Sequence, residues 1–231
     1  MSRFFSKAFV IALVIVGLYG VTRAQETENI IRPNTKAGSA AWVFTFGGLS
    51  SLGVNAVELA SLTVPGETST TVDVYGAGYK YYLSDDMALR ALLGFSTTSS
   101  GDEAKAGKTT MTNWGIAAGI EMHTHAVYST SPYFGAQIGY TSASGDFKQT
   151  PSGGQTSETK GSGSAFSIGV LAGFDWYFTR GIAVGGEYML GFSSLSSSTT
   201  VTAAGTSTTT DNPSASTIGI SAGDVHLVVH F

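Results

Sequence analysis

Apolar and polar residues alternate with a period of two along much of this chain. The clearest case is "FSIGVLAGFDWYF", in which every second residue from Phe166 to Phe178 is apolar. The opposite face of that stretch carries Ser167, Gly169, Gly173 and Asp175. A helix would scatter such a set around its axis, whereas a strand places it on one side. The pattern therefore predicts β-strands.

Eight segments share this texture and are separated by stretches rich in Ser, Thr and Gly. Membrane-spanning strands need about 9–11 residues, whereas strands of globular proteins usually have about five or six. The observed lengths therefore favour strands that cross a membrane. The candidates lie at about 40–49, 71–83, 87–96, 110–123, 132–142, 165–178, 182–192 and 217–231.

The connections between these segments alternate strictly between short and long. The short ones lie at about 84–86, 124–131 and 179–181, and the long ones at about 50–70, 97–109, 143–164 and 193–216. This alternation predicts an all-β fold, an eight-stranded antiparallel up-and-down transmembrane β-barrel with both termini at one end. The last strand would close the barrel by pairing with the first, around residues 42–46. The Thr-rich runs "TTVT" and "TSTTT" further predict that strands extend beyond the membrane as β-ribbons.

Composition decides which face of each strand points inward. Charged residues make up only 12% of the chain, against roughly 25% in soluble domains. Eight strands enclose an interior only wide enough for side chains. The faces rich in Gly, Ala and Ser fit that interior, so the aromatic faces point outward to lipid. Aromatic girdles at the two membrane interfaces are then predicted from Trp42, Tyr79, Tyr81, Tyr133, Tyr140, Trp176, Phe178 and Tyr188.

The first 24 residues have the pattern of a cleaved secretory signal. Arg3 and Lys7 precede an apolar run, and Thr22-Arg23-Ala24 places small residues at the cleavage positions. An uncleaved membrane anchor is the alternative. We therefore expect a periplasmic leader at 25–38 and a barrel domain at 39–231. The chain has no Cys, which excludes disulfides and thiol chemistry, and its net charge of −4 gives no reason to expect a nucleic acid partner.

Isolated charges fall on the predicted inward faces. Unpaired ions in a narrow lumen are costly, so ion pairs are expected to plug it. A small gated pore that uses the same charges for selectivity is the alternative. The register of the second strand stays open, because Lys80 and Tyr81 could exchange sides. The predicted lumen network consists of Lys80, Arg90, Glu121, Asp175, Glu187 and Asp224.

Other chemistry is less well supported by the sequence. His123 and His125 are two residues apart, and His226 and His230 alternate inward, but no further ligand completes a metal site. A Ser nucleophile needs a His within hydrogen-bond reach, and all four His lie at the end opposite the outer rim. We therefore predict neither an enzyme, nor a metal, nor a cofactor. The long loops lack aromatic or Arg anchors, so we expect solvated, mobile loops, with an adhesive surface as the alternative.

The chain resembles the small outer-membrane β-barrel family of Gram-negative bacteria, the OmpA/OmpX-type eight-stranded barrels, over about residues 38–231. The resemblance rests on the signal sequence, the eight strands, the loop asymmetry and the terminal Phe231 preceded by Val225, Leu227 and Val229. It does not include a periplasmic C-terminal domain.

The resemblance implies that this last strand is recognised by the barrel assembly machinery, after transit with periplasmic chaperones. It also implies a monomer in the outer membrane, in contact with lipid and lipopolysaccharide. The termini would lie in the periplasm and the long loops outside the cell. The implied role is structural, in envelope integrity or surface interaction. A narrow porin-like channel and, less favoured, an adhesin are the alternatives, and a soluble periplasmic binding barrel is a third hypothesis.

Overall fold

The computed structural model describes residues 35–46, 75–102, 107–150, 156–220 and 223–231. The predicted signal peptide, most of the leader, the loop at 50–70 and residues 71–74 of the second strand candidate lie outside these ranges. No helix in the described parts is long and apolar enough to cross a membrane. The strands are β1 (Ala40–Thr45), β2 (Tyr75–Ser84), β3 (Met87–Asp102), β4 (Gly107–His123), β5 (Thr130–Gln149), β6 (Ser157–Thr179), β7 (Ile182–Ala203), β8 (Thr206–Ile220) and β9 (Asp224–His230).

The strands close into an antiparallel ring in the order β1-β2-β3-β4-β5-β6-β7-β9 and back to β1. The closing pair matches Ala41 with His230 and Thr45 with His226. β7 is long enough to pair with two strands, β9 along Ile182–Glu187 and β8 along Leu190–Ala203. β8 and β9 are thus two pieces of one side of the ring, and the predicted eight-stranded barrel is confirmed.

Several strands are longer than predicted, because the segments predicted as long loops at 97–109, 143–164 and 193–216 are mostly strand. The described parts of these segments are therefore strands and not the predicted loops, and the predicted extension of strands as β-ribbons is confirmed. Thr has a high strand propensity, and facing hydroxyls bond across the ladder. The Thr200 and Thr209 hydroxyls are 2.9 Å apart, and those of Thr202 and Ser207 are 2.8 Å apart.

A two-residue turn joins β7 to β8. Ala204 and Gly205 both have positive φ, 51° and 79°. Positive φ at both central residues is the mark of a type I′ turn, whose twist matches that of the flanking strands. This turn allows β7 and β8 to pair up to their ends, from Ala203 with Thr206.

The strand pieces beyond the aromatic positions Phe95, Trp114, Tyr140 and Phe166 form what we call the upper sheet. It comprises 96–102 of β3, 107–113 of β4, 142–149 of β5, 157–164 of β6, 193–203 of β7 and 206–217 of β8. Its outer face continues the lipid-side face of the barrel, because strand alternation is unbroken from β4 to β6. Within the described residues, β8 pairs with β7 alone.

The barrel has large apolar side chains outside and small or charged side chains inside. Trp176, Ile168 and Leu190 on the outer face are about half exposed, whereas Ala183, Ser167 and Glu121 on the inner face are buried. A soluble protein would have the opposite polarity. This distribution suits a barrel whose outer surface contacts lipid.

Candidate functional site

The candidate site is the polar plug in the lumen, near the end of the barrel with the short turns. Its side chains come from alternating positions of β2, β3, β4, β6, β7 and β9, which all point inward. In β2, Lys80 is 1% exposed and the neighbouring Tyr81 is 41% exposed, so the register left open by the sequence has Lys80 inside. All six residues of the predicted network are buried, namely Lys80, Arg90, Glu121, Asp175, Glu187 and Asp224.

Arg90 is the centre of the plug. Its Nη1 and Nη2 donate to the two carboxylate oxygens of Glu187 at 2.6 and 2.7 Å. Nη1 also lies 3.1 Å from Glu121, and Nε donates to Gln137 Oε1 at 2.9 Å. A two-pronged Arg–carboxylate pair fixes both distance and orientation. Arg90 thereby links β3 to β4, β5 and β7 across the lumen.

Lys80 extends the network on the other side of Glu121. Its Nζ lies 2.8 Å from Glu121 and 3.2 Å from Asp175. The same ammonium lies 5.1 Å from the centre of the Tyr133 ring, within the range of a cation–π contact. The Tyr133 hydroxyl in turn donates to Glu187 at 2.9 Å. Lys80 and Arg90 are therefore held by shared partners.

Asp175 also bonds to His226, whose Nε2 lies 2.8 Å from Oδ1. This contact needs a glycine across the ladder, because a Cβ at Gly185 would collide with both groups. Asp224 is less well satisfied: its Oδ1 has no hydrogen-bond partner among the described residues. The plug thus holds two cations against four carboxylates, with His side chains as additional donors.

An aromatic layer lies below these charges. Tyr82 packs against the rings of His123 and His230 with centroids 5.5 and 5.7 Å apart. The Tyr177 hydroxyl lies 3.0 Å from His230 Nε2, and Tyr133 lies 5.2 Å from His123. These buried rings lie in the lumen next to the short turns, on that side of the charged layer.

Glu121, His123 and Ser131 form a chain with the residue types of a hydrolytic triad. His123 Nε2 lies 3.1 Å from Glu121, and Nδ1 lies 2.9 Å from the Ser131 hydroxyl. Ser131 is only 2% exposed, and Glu121 already contacts Lys80 and Arg90. In this setting the Ser131 hydroxyl serves to orient the His123 ring.

The four histidines do not converge on one site. His123, His226 and His230 point into the lumen, whereas His125 lies exposed in the turn after β4. In the parts of the chain that the structure describes, no group of three or more His, Asp or Glu is placed to hold a metal ion.

The predicted girdle residues lie on the outer face with one exception. Tyr133 was predicted outside, but it is 3% exposed and bonds to Glu187 in the lumen. The prediction was wrong because Tyr133 and Tyr140 have opposite parity in β5, so only one of them can face lipid. The remaining seven are exposed on the outer face: Trp42, Tyr79, Tyr81, Tyr140, Trp176, Phe178 and Tyr188.

The C-terminal strand packs against this girdle. Val225 and Phe231 are exposed on the outer face, and Leu227 and Val229 are half-buried there. The Phe231 ring lies 6.3 Å from both Trp42 and Tyr79, measured between ring centroids. The last residue is therefore part of an aromatic cluster at the β1–β2 side of the barrel closure.

Five plug residues were not identified from the sequence: Tyr82, Ser131, Tyr133, Gln137 and Tyr177. The predicted network contains charged residues alone, whereas neutral polar groups on the same inward faces also belong to the plug. Strand alternation could have identified them, because residues an even number of positions apart share a face, and Gln137 and Ser131 are such a pair on one strand. Tyr82 and Lys80 share a face of β2 in the same way.

The closed ring, the lipid-type outer face and the polar plug define an integral membrane β-barrel. In agreement, residues 15–223 match the model of the family described as outer membrane protein beta-barrel domain. The chain belongs to this family, and its location is the bacterial outer membrane. No curated protein sequence matches it.

Several solved barrels are similar in structure. The translocator domain of the autotransporter NalP from Neisseria meningitidis is 11% identical with a TM-score of 0.45, over 92% of this chain and 66% of that one. This chain therefore spans slightly less than two thirds of that domain.

Two further barrels are covered almost completely. The N-terminal barrel of Pseudomonas aeruginosa OprF is 14% identical with a TM-score of 0.33, and the match covers 85% of this chain and 98% of that one. Ail of Yersinia pestis is 10% identical with a TM-score of 0.39, and the match covers 84% of this chain and 99% of that one. Because these TM-scores are below 0.5, the assignment rests on the family match.

Proposed function

We propose that this protein is a monomeric, non-enzymatic structural barrel of the outer membrane whose lumen is closed by its polar plug. Such a protein contributes to envelope integrity and presents its upper sheet at the cell surface. The termini then lie in the periplasm, as is usual for barrels with short periplasmic turns and long outer hairpins. The outer face of the barrel contacts lipid and lipopolysaccharide.

The observation that carries this proposal is the Arg90 cluster. Arg90 spans the lumen from β3 to Glu187 on β7, with Gln137 and Glu121 at its sides. The Lys80, Glu121 and Asp175 side chains in the adjoining layer are at most 2% exposed. Side chains bonded across the lumen at this level support a closed barrel, because eight strands enclose an interior only wide enough for side chains.

Single-channel recording in planar bilayers tests the closed lumen. We expect no steady conductance from the wild-type protein. The double variant Arg90→Ala with Glu187→Ala removes both side chains of the two-pronged ion pair. It is expected to give channel openings in the recording that the wild type lacks. Thr97→Ala with Thr112→Ala, on the outer face of the upper sheet, is the matched control and should stay silent. A steady wild-type conductance would overturn the proposal.

A narrow cation channel is the second candidate. It is favoured by the excess of carboxylates over Lys and Arg in the plug and by the unbonded Oδ1 of Asp224. Fixed negative charge in a narrow pathway attracts cations. The same recording distinguishes the two functions, because a channel of this kind would give a cation-selective current that Asp224→Asn reduces.

We further propose that Val225, Leu227, Val229 and Phe231 are recognised by the barrel assembly machinery after delivery by periplasmic chaperones. Deletion of Phe231 is expected to lower the amount of assembled protein in cells more than its refolding yield in detergent micelles. Normal assembly of this truncation in cells would contradict the proposal. Tyr188→Ala, which removes an exposed aromatic side chain elsewhere on the outer face, is the control.

A further inference from the structure

Three lysines lie on the outer face of the upper sheet, on adjacent strands. Lys108 of β4 is directly opposite Lys148 of β5. Lys148 is opposite Glu158 of β6, and Lys160 is two positions from Glu158 on the same face. Like charges in directly opposite positions of a ladder are destabilising. This arrangement therefore needs compensating negative charge nearby.

Carboxylates of the protein on the same face supply some of that charge. Glu158 lies 3.1 Å from Lys148 and 3.3 Å from Lys160. Asp146 lies opposite Lys160 in the ladder. Among the residues that the structure describes, Glu158 and Asp146 are the carboxylates that the ladder places beside Lys148 and Lys160 on this face. The side chains of Lys148 and Lys160 remain 46% and 56% exposed, so an anionic ligand outside the protein can reach both.

The height of this cluster relative to the membrane follows from β6. Trp176 and Phe166 are ten positions apart on its outer face. With a rise of about 3.3 Å per residue and a tilt near 40°, they are separated by about 25 Å along the membrane normal, the height of the apolar band of such barrels. Lys160 lies six positions further, about 15 Å above that band by the same geometry. The cluster therefore lies above the outer-leaflet edge of the apolar band, on the side of the long hairpins.

The other side of the upper sheet has a different composition. From Ser193 to Ile220 the chain contains no Lys or Arg, and Asp211 is its single charged residue. A general adaptation of the surface to water would not concentrate the lysines on β4, β5 and β6. Their common face and common height indicate a ligand that carries several negative charges at the leaflet surface.

We propose that Lys108, Lys148 and Lys160 form a binding site for the phosphate groups of a phosphorylated glycolipid of the outer leaflet. An ammonium group binds phosphate as a point charge, and each Lys near an anionic surface contributes additively. The inference rests on the membrane placement under Proposed function and is independent of whether the lumen conducts. Glu158 competes with the ligand for two of the three lysines.

The test is native mass spectrometry of the full chain in neutral detergent micelles. The ligands are bisphosphorylated lipid A, the same lipid A after dephosphorylation, and phosphatidylglycerol. We expect the bisphosphorylated form to bind most tightly. Lys108→Gln with Lys148→Gln should weaken its binding about 25-fold, or about fivefold per lysine. Lys36→Gln with Arg180→Gln removes two exposed cations at the short-turn end and should change binding less than about twofold.

Glu158→Gln provides a gain of binding that misfolding cannot imitate. It removes the carboxylate that contacts Lys148 and Lys160. Lipid A binding is expected to tighten about fivefold, which is the contribution of one charge. Asp211→Asn removes one negative charge from the opposite side of the upper sheet and should leave binding unchanged. The proposal is overturned if the two double variants lose affinity equally or if dephosphorylated lipid A binds as well. Competition by inorganic phosphate as strong as by lipid A would also overturn it, by showing a general anion site.

Discussion

The protein contains two ion networks with similar contact distances in very different surroundings. In the plug, Arg90–Glu187 and Lys80–Glu121 are separated by 2.6 and 2.8 Å, and their side chains are at most 5% exposed. On the upper sheet, Lys148 lies 3.1 Å from Glu158, with side chains 46% and 24% exposed. Both networks join neighbouring strands through a carboxylate shared between cations.

The difference in burial gives the two networks different roles. Exposed ion pairs contribute little, because water already solvates both charges and salt screens them. A buried ion that loses its partner keeps the full cost of its desolvation. Each plug residue therefore depends on the others, whereas Lys148, Glu158 and Lys160 stay in contact with water.

The largest effect is expected from Arg90→Met. This substitution leaves Glu187 and Glu121 in the lumen without their guanidinium partner. Breaking a buried pair from one side costs about 3–5 kcal/mol, so the free energy of unfolding should fall by that amount. Urea denaturation in lipid vesicles, followed by Trp fluorescence, measures it.

Arg180→Met is the matched control for this substitution. Arg180 lies exposed in the turn between β6 and β7, and its loss should change the unfolding free energy by less than about 0.5 kcal/mol. An equal loss of stability in the two variants would mean that burial does not distinguish the plug from the surface.

A smaller effect is expected from Gly185→Ala. The added methyl group would collide with His226, Asp175 and the backbone carbonyl of Phe174, so the packing around the 2.8 Å contact between His226 and Asp175 must shift. Overpacking of this kind costs about 1–3 kcal/mol. Gly219→Ala is the control, because nothing lies within 4 Å of a Cβ there. If both variants unfold at the same urea concentration, the His226–Asp175 contact is not tightly constrained.

Much of the barrel could be predicted from the period of two. Alternation in β6 separates Phe166 and Trp176 from Asp175, and the same parity rule puts Lys80 and Tyr81 on opposite faces. The sequence could not decide between the two registers of β2, because both faces of that strand carry large side chains. The structure decides the register of β2, because the β2–β3 ladder places Lys80 directly opposite the inward-facing Arg90.

Strand length and side-chain partners were less accessible to sequence reasoning. The Ser- and Thr-rich segments have few apolar residues, which is also typical of loops, and they are held extended by backbone pairing together with hydroxyl contacts across the ladder. The partners of Arg90 lie on three other strands. Such contacts depend on the stagger of the whole barrel, which alternation within one strand does not specify.

The smallest effect is expected from Glu158→Gln on the upper sheet. The pKa of the Glu158 carboxyl is lowered, chiefly by its hydrogen bond to Lys148. A lowered folded-state pKa stabilises the folded sheet above the ordinary pKa, and this contribution is lost as the pH falls through the folded-state value. At pH 7 we expect amide hydrogen exchange at the ends of β5 and β6 to be about twofold faster in the variant.

The pH dependence of that difference separates charge from packing. Below the lowered pKa, wild-type Glu158 is neutral like Gln, so the ratio of exchange rates at equal pH should approach one. Added salt at pH 7 should reduce the ratio too, because these side chains are exposed, whereas the loss caused by Arg90→Met should hardly respond to salt. A twofold difference that persists in acid would mean that Glu158 acts through its shape, and the upper network would then resemble the plug.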